Sequence, residues 1–439
     1  MRLFKCQACG QAIYFENRFC GSCGLSLGYL PVTGELAALE PEGDHFVALT
    51  RKRPMVRYCE NIRFDACNWV IAADNGSKFC LACRHNRTIP DLSITENLFR
   101  WQQMEIAKHR LFYTLIVLKL PLNNLTDDPE HGLAFDFLLE GPEEAIVLTG
   151  HDAGLITINL KEADDAYRET LRNSMGEPYR TLLGHFRHEV GHYFWDKLVR
   201  DAGRLQECRT VFGDERADYS EALENYYAQG PLPDWQGGFI SAYATAHPWE
   251  DFAETWAHYL HIVDTLETAS TFGLRIHPMA TKNKALHADL DFDPYHAGSV
   301  KPLIAAWLPL TFALNNLNRS MGYSDLYPFI LSESVIRKMQ FIHEVIHASQ
   351  VQRKAPGRRR GFFRRAAAPE QPPAPAPVPP GAPIIPPVPG PDIPQESPPI
   401  VEPPNDPLPD RPPIELPPGP DELPNPIPDE VPVVQMGVG

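Results

Sequence analysis

The apolar positions between residues 91 and 350 change period along the chain, and the period predicts the elements. Leu111–Leu120 is a run rich in β-branched and aromatic residues and predicts a strand, as do Phe135–Leu139 and Ala145–Leu148. Leu155–Leu160 alternates with period two, the mark of a strand with one buried face. The pattern then becomes helical. Ala166–Ser174 is a polar-faced helix. Thr181–Val199 places Phe186, Val190, Phe194 and Leu198 four apart, one apolar stripe. Trp249–Leu266 is a third helix, with Pro248 near its start. A fourth spans roughly Ser334–Gln350, with Val335, Met339, Ile342 and Ile346 as its core stripe. Strands followed by helices predict an α+β fold.

Outside this region the pattern breaks down. Residues 1–90 carry only short apolar runs. After residue 368 periodicity vanishes, and 28 of the 45 prolines fall there. Eleven carboxylates against one arginine in that tail supply −10 of the net charge of −16. Such a segment cannot bury enough apolar surface to offset its ordering entropy and is expected to be disordered. The expected organisation is therefore residues 1–90, a domain over 91–350, and a basic linker with a Pro-rich acidic tail over 351–439. The linker's Arg353, Lys354, Arg358–Arg360, Arg364 and Arg365 read as a solvated segment, with an anionic partner or membrane surface as the alternative. Pro386-Pro387-Val388-Pro389 offers a docking motif for readers of Pro-rich segments.

The remaining charge is mildly acidic and does not suggest general nucleic-acid binding. Neither a signal peptide nor an apolar stretch long enough to span a membrane is visible, so a cytoplasmic location is expected. Eight of nine cysteines precede residue 84. In that setting clustered cysteines mean metal rather than disulfides. Cys6-x-x-Cys9-Gly10 and Cys20-x-x-Cys23-Gly24 are two knuckles whose four thiolates close one tetrahedral zinc. Cys59, Cys67, Cys80 and Cys83 are a less regular second set, with His85 as a substitute ligand. Cys208 is left over and reads as a small buried apolar residue.

The chemistry centres on His188-Glu189-Val190-Gly191-His192. On a helix, residues four apart share a face, so both imidazoles reach one zinc. Glu189 beside them can take a proton from a zinc-bound water and pass it to a leaving amine. Gly191 costs about 1 kcal/mol in mid-helix, so something must pack closely there. His343-Glu344-Val345-Ile346-His347 repeats the pattern, but no carboxylate follows it in an ordered segment. Its histidines are expected to flank a core stripe and bind nothing.

A catalytic zinc needs a third protein ligand and an open position. The sequence after His192 excludes the extended three-histidine pattern. On the helix around Trp249, Glu250 and Glu254 lie one turn apart, so Glu250 is the expected ligand and Glu254 the acceptor of a histidine N–H. Asp251 competes as a ligand. Tyr243 is the first candidate to stabilise charge on a reacting carbonyl, with His247 and His258 behind it. Leu155–Leu160 could pair with an extended substrate if it forms a sheet edge.

The His188–His192 run, Gly213-Asp214-Glu215-Arg216-Ala217-Asp218-Tyr219 and the His247–His258 segment resemble a bacterial family of zinc-binding metallopeptidases with an N-terminal zinc-ribbon region, over roughly residues 1–345. The resemblance implies a zincin-like domain and a gluzincin-type site. Tyr243–Glu254 is also similar to the catalytic segment of anthrax lethal factor-type peptidases. This second likeness implies that Tyr243 assists catalysis, Glu250 binds zinc and Glu254 supports a ligand. Asp214, Glu215 and Arg216 are expected in a buried ion-pair network. The expected function is peptide-bond hydrolysis with one catalytic and one or two structural zinc ions. The alternatives are a zinc-ribbon adaptor whose peptidase fold binds without cutting, and a nucleic-acid-linked factor acting through the ribbons. A protein partner could be held by the ribbons or by the tail.

Overall fold

The computed structural model describes residues 2–139, 147, 149–175 and 181–354, which lie in one compact unit. The Pro-rich tail and nearly all of the expected strand Ala145–Leu148 lie outside the described residues. Helices and sheets are mixed, as the α+β expectation required.

The cysteine-rich region begins with the hairpin β1 (Phe4–Lys5) and β2 (Ala12–Ile13). A five-stranded antiparallel meander follows: β3 (Ser26–Leu30), β4 (Glu35–Glu42), β5 (His45–Ala48), β6 (Met55–Tyr58) and β7 (Val70–Ala72). One face of this sheet merges into the main core. There Phe15 meets Tyr113 edge-on at 5.4 Å and Phe64 meets Trp101 at 5.9 Å.

Tyr113 and Trp101 belong to helix α1 (Thr95–Val117). This corrects the strand expected at Leu111–Leu120. The run is apolar because the helix is buried on several sides, with Leu111, Phe112, Tyr113 and Leu115 all at 1 % exposure or less. A continuous apolar run does not distinguish a buried helix from a buried strand. The second sheet has the order β10–β11–β9–β8, from β8 (Asn86–Thr88), β9 (Ala134–Leu138), β10 (Gly150–Asp152) and β11 (Leu155–Asn159). β8, β9 and β11 run parallel, and β10 is the antiparallel edge. Leu155–Leu160 is therefore not the edge. The short turn at Ala153-Gly154 folds β10 along its outer side.

α2 (Asp165–Met175) leads to α3 (Leu182–Trp195). Thr181 caps α3, its side chain accepting from the Gly184 N–H, and Asp196–Arg200 continues it as a π-helical turn. α4 (Leu205–Phe212) and α5 (Tyr219–Gln229) precede α6 (Pro248–Thr271), which starts on Pro248 with His247 as its cap. α7 (Val300–Ser320) and α8 (Glu333–Lys354) complete the bundle. The sequence did not predict α7; Pro309 lies inside it and argues locally against a helix. No helix of the described residues is long and apolar enough to cross a membrane.

α3 and α6 are the central pair. A Cβ on Gly191 would lie 3.0 Å from the Ala253 Cα and 3.2 Å from the Trp256 ring. The expected close neighbour of Gly191 is thus the backbone of α6. The pair is locked by Arg187, which donates to Asp264; Asp264 also accepts from Thr114 of α1 at 2.7 Å and from Tyr295.

Candidate metal centres and active site

The nitrogen and oxygen atoms offered by His188, His192 and Glu250 all lie within 4.8 Å of one another. His188 and His192 come from α3, and Glu250 from the first turn of α6. All three are buried. His188 Nδ1 lies 2.7 Å from Glu254 Oε1. A carboxylate only accepts, so Nδ1 carries the proton and Nε2 keeps its lone pair. That Nε2 faces Glu250 Oε2 at 2.9 Å, yet Oε2 has no hydrogen-bond partner. His192 Nε2 lies 3.5 Å from Glu250 Oε1. Two ligands of one tetrahedral zinc are about 3.4 Å apart. Lone pairs converging at this spacing in a buried place fit a divalent cation.

Both carboxylates stay ionised. Burial pushes the Glu250 and Glu254 carboxyls up, but positive charge at the His192 and His188 rings, which a bound cation would supply in place of a proton, more than reverses it and holds Glu250 well below the carboxylate range and Glu254 at about 2. Glu254 also accepts from the Ser241 hydroxyl at 2.6 Å, which leaves one oxygen for His188.

Glu189 is buried on α3 between the two histidines. The Tyr243 ring lies 6.0 Å from that of His188. Burial first, and then the charge of Glu250, push the Tyr243 phenol up, so it remains a donor. The edge strand β10 passes beside the three side chains, with the His151 ring 6.1 Å from those of both His192 and Trp249.

The other expected candidates lie elsewhere. Asp251 turns away and pairs with Lys338 at 2.6 Å. His247 caps α6, accepting from the Trp249 N–H, and its other nitrogen contacts the Ala217 carbonyl. His258 is buried against the Tyr327 hydroxyl at 2.9 Å. Of the acidic segment, Glu215 pairs with Arg209 and Asp214 with Arg216, but Asp214 and Arg216 are exposed rather than buried. In the repeated motif, His343 meets the Tyr259 hydroxyl at 2.9 Å and Glu344 faces solvent. No three metal-binding groups gather there among the described residues. Val335, Met339, Ile342 and Ile346 form the expected core stripe. Tyr219 was missed: its hydroxyl donates to Glu250 Oε1 at 2.6 Å. It sits in the segment that carries the family resemblance, but no local pattern assigns it a role.

The cysteines form two clusters, Cys6–Cys9–Cys20–Cys23 and Cys59–Cys67–Cys80–Cys83. Cys6–Cys23, Cys9–Cys20 and Cys67–Cys80 have Sγ atoms 3.8, 3.5 and 3.8 Å apart. That is too long for a disulfide and close to the about 3.8 Å between thiolates on one zinc. In the second cluster, hydrogen bonds from Cys67, Cys80 and Cys83 hold Cys59 far below the thiol range, while burial pushes Cys67 and Cys83 up. Four sulfurs gathered at this spacing suit a dication, which would hold them as thiolates. His85 is not at this site; its Nδ1 contacts the Leu133 carbonyl at 2.7 Å. His109 of α1 stands there instead, with Nε2 3.6 Å from Cys83 Sγ. Cys208 is buried, which pushes its thiol up to about 12.

Residues 97–345 match the family described as "Putative zinc-binding metallo-peptidase", and residues 3–94 match a zinc-ribbon domain. An uncharacterized protein of Mycobacterium bovis is 43 % identical over 347 residues, 79 % of this chain and 95 % of the relative. Uncharacterized proteins from two strains of Mycobacterium tuberculosis, CDC 1551 and H37Rv, align to the same extent. No solved structure matches. By the extent of these matches, the chain belongs to the zinc-binding metallopeptidase family, with a zinc ribbon at its N-terminus.

Proposed function

We propose that the protein hydrolyses peptide bonds at a zinc ion held by His188, His192 and Glu250. The observation that carries this is the lone-pair convergence of those three side chains, with Glu189 on the same helical turn. Bound there, zinc supplies Lewis-acid polarisation of a carbonyl and makes a nearby water acidic near neutral pH. Glu189 removes the proton from the attacking water and delivers it to the departing amine. The Tyr243 phenol donates to the carbonyl oxygen as that oxygen gains charge. Glu254 keeps the proton on His188 Nδ1 and fixes the ring. An extended substrate chain has the outer edge of β10 to pair with. The two cysteine clusters hold structural zinc.

The test compares wild type with Glu189→Gln and with the double variant His188→Ala, His192→Ala, on a peptide library with zinc counted per chain. Glu189→Gln is expected to keep all zinc and lose activity by about 10²- to 10⁴-fold. The double variant is expected to lose one zinc. Equal cleavage by Glu189→Gln, or a zinc count unchanged in the double variant, refutes the assignment. A wild type that holds the zinc and cleaves no peptide favours a binding role.

A further inference from the structure

Glu250 has two oxygens with different surroundings. Oε2 faces His188 Nε2 and has no hydrogen bond. Oε1 accepts from the Tyr219 hydroxyl at 2.6 Å. A carboxylate can hold zinc through one oxygen or through both. A hydrogen bond on Oε1 uses a lone pair and draws charge from it, which leaves Oε2 the better donor. One-oxygen binding also keeps the fourth zinc position open for water or substrate.

Tyr219 does not belong to the α3–α6 core. It opens α5, a helix with no buried residue that starts after its cap Asp218 and ends on Gly230 at φ 78°. Its ring is wedged between His247 at 5.2 Å and Trp249 at 5.7 Å. Seven residues on, and so on the same face, Tyr226 meets Tyr243 edge-on at 5.7 Å. One face of a surface helix thus touches both the metal-binding carboxylate and the phenol assigned to the carbonyl oxygen. The approach to α5 is fastened by the Arg209–Glu215 pair and by His247 on the Ala217 carbonyl.

Resting on the peptidase reading, we propose that Tyr219 is a positioning residue: its hydroxyl makes Glu250 a single-oxygen ligand and ties the metal affinity of the site to the seating of α5. Glu254 and Ser241 orient the histidine side of the site; Tyr219 orients the carboxylate side from a different helix. A tyrosine serving only to pack against Trp249 would act through its ring, and the hydroxyl would be dispensable.

Tyr219→Phe separates the two, because it keeps the ring and removes the donor. The full chain, its cysteine clusters loaded, is titrated with zinc against a competing chelator. The His188/His192 site is then filled with cobalt(II) and its visible spectrum recorded. Tyr219→Phe is expected to weaken zinc at this site by about 10-fold or more and to reduce the intensity of the cobalt bands, as a second carboxylate oxygen enters the shell. Tyr227→Phe, a neighbour on the exposed side, is expected to match wild type. Wild-type affinity and spectrum in Tyr219→Phe overturn the role of Tyr219 and leave the peptidase reading intact. A wild type that takes up no metal at His188 and His192 overturns both.

Discussion

Gly191→Ala tests the packing that builds the candidate metal site. In an exposed helix this change gains about 1 kcal/mol, since alanine is the better helix former. Here the added methyl would stand 3.0 Å from the Ala253 Cα and 3.2 and 3.3 Å from two atoms of Trp256. Ordinary contact begins near 3.4 Å. The neighbour is backbone flanked by a fully buried indole, so a rotamer change cannot relieve it. Overpacking of this kind costs about 1–3 kcal/mol, and the net effect is a loss of about 0–2 kcal/mol. Metal binding should suffer more. Moving α6 away by about 0.4 Å carries Glu250 with it, about twice the roughly 0.2 Å spread expected of metal–ligand distances. Urea unfolding with the cysteine clusters loaded measures the first effect; zinc retained after dialysis against a chelator measures the second. A variant about 1 kcal/mol more stable than wild type, with full zinc at His188 and His192, would refute the reasoning.

Three further outcomes follow from buried groups. Lys338→Met strands the Asp251 carboxylate, which is wholly buried; it should cost about 3–5 kcal/mol in unfolding free energy, and adding Asp251→Asn should recover part of it. Burial, with the charge of His347, holds His343 down at about 4. The unfolded chain takes up this proton near pH 6.5, so stability should fall as pH drops from about 6.5 toward 4 and be complete above that window. His343→Gln should flatten this slope in pH-dependent unfolding curves, and the His343→Ala, His347→Ala pair should lose no zinc. Cys67→Ser should remove one zinc and broaden protection loss into α1 by hydrogen exchange, because His109 and Glu105 of α1 lie against the same cluster; loss confined to residues 59–83 would argue against that coupling.

Much of the candidate site was legible because its spacing is local. His188, Glu189 and His192 share one turn, and Glu250 and Glu254 another, so helical periodicity alone put each set on a face. The close neighbour of Gly191 was legible too, since glycine in mid-helix demands a cause. The alternatives to these residues were settled only by tertiary placement. Nothing local says that Asp251 turns toward Lys338 or that His258 ends against Tyr327. Tyr219 and His109 were invisible for the same reason: each reaches its partner from an element distant in sequence, 31 and 26 residues away. The strand expected at Leu111–Leu120 failed because burial on several sides erased the periodicity that would have revealed α1. The helix α7 was hidden by Pro309.

The aromatic seam between the cysteine-rich sheet and α1 bears on how the protein can be taken apart. Phe15 and Trp69 cover Tyr113 and His109, and Lys108, completely buried, is neutralised by Glu105 beside Asn86. Trimming the chain to residues 91–350 would bare this seam to water and leave α1 without its outer layer. The same α1 supplies Thr114 to the Asp264–Arg187 lock one residue before His188. A chain trimmed in this way is expected to be an aggregation-prone fragment, and metal loss from the second cysteine cluster is expected to loosen α3 together with the ribbon.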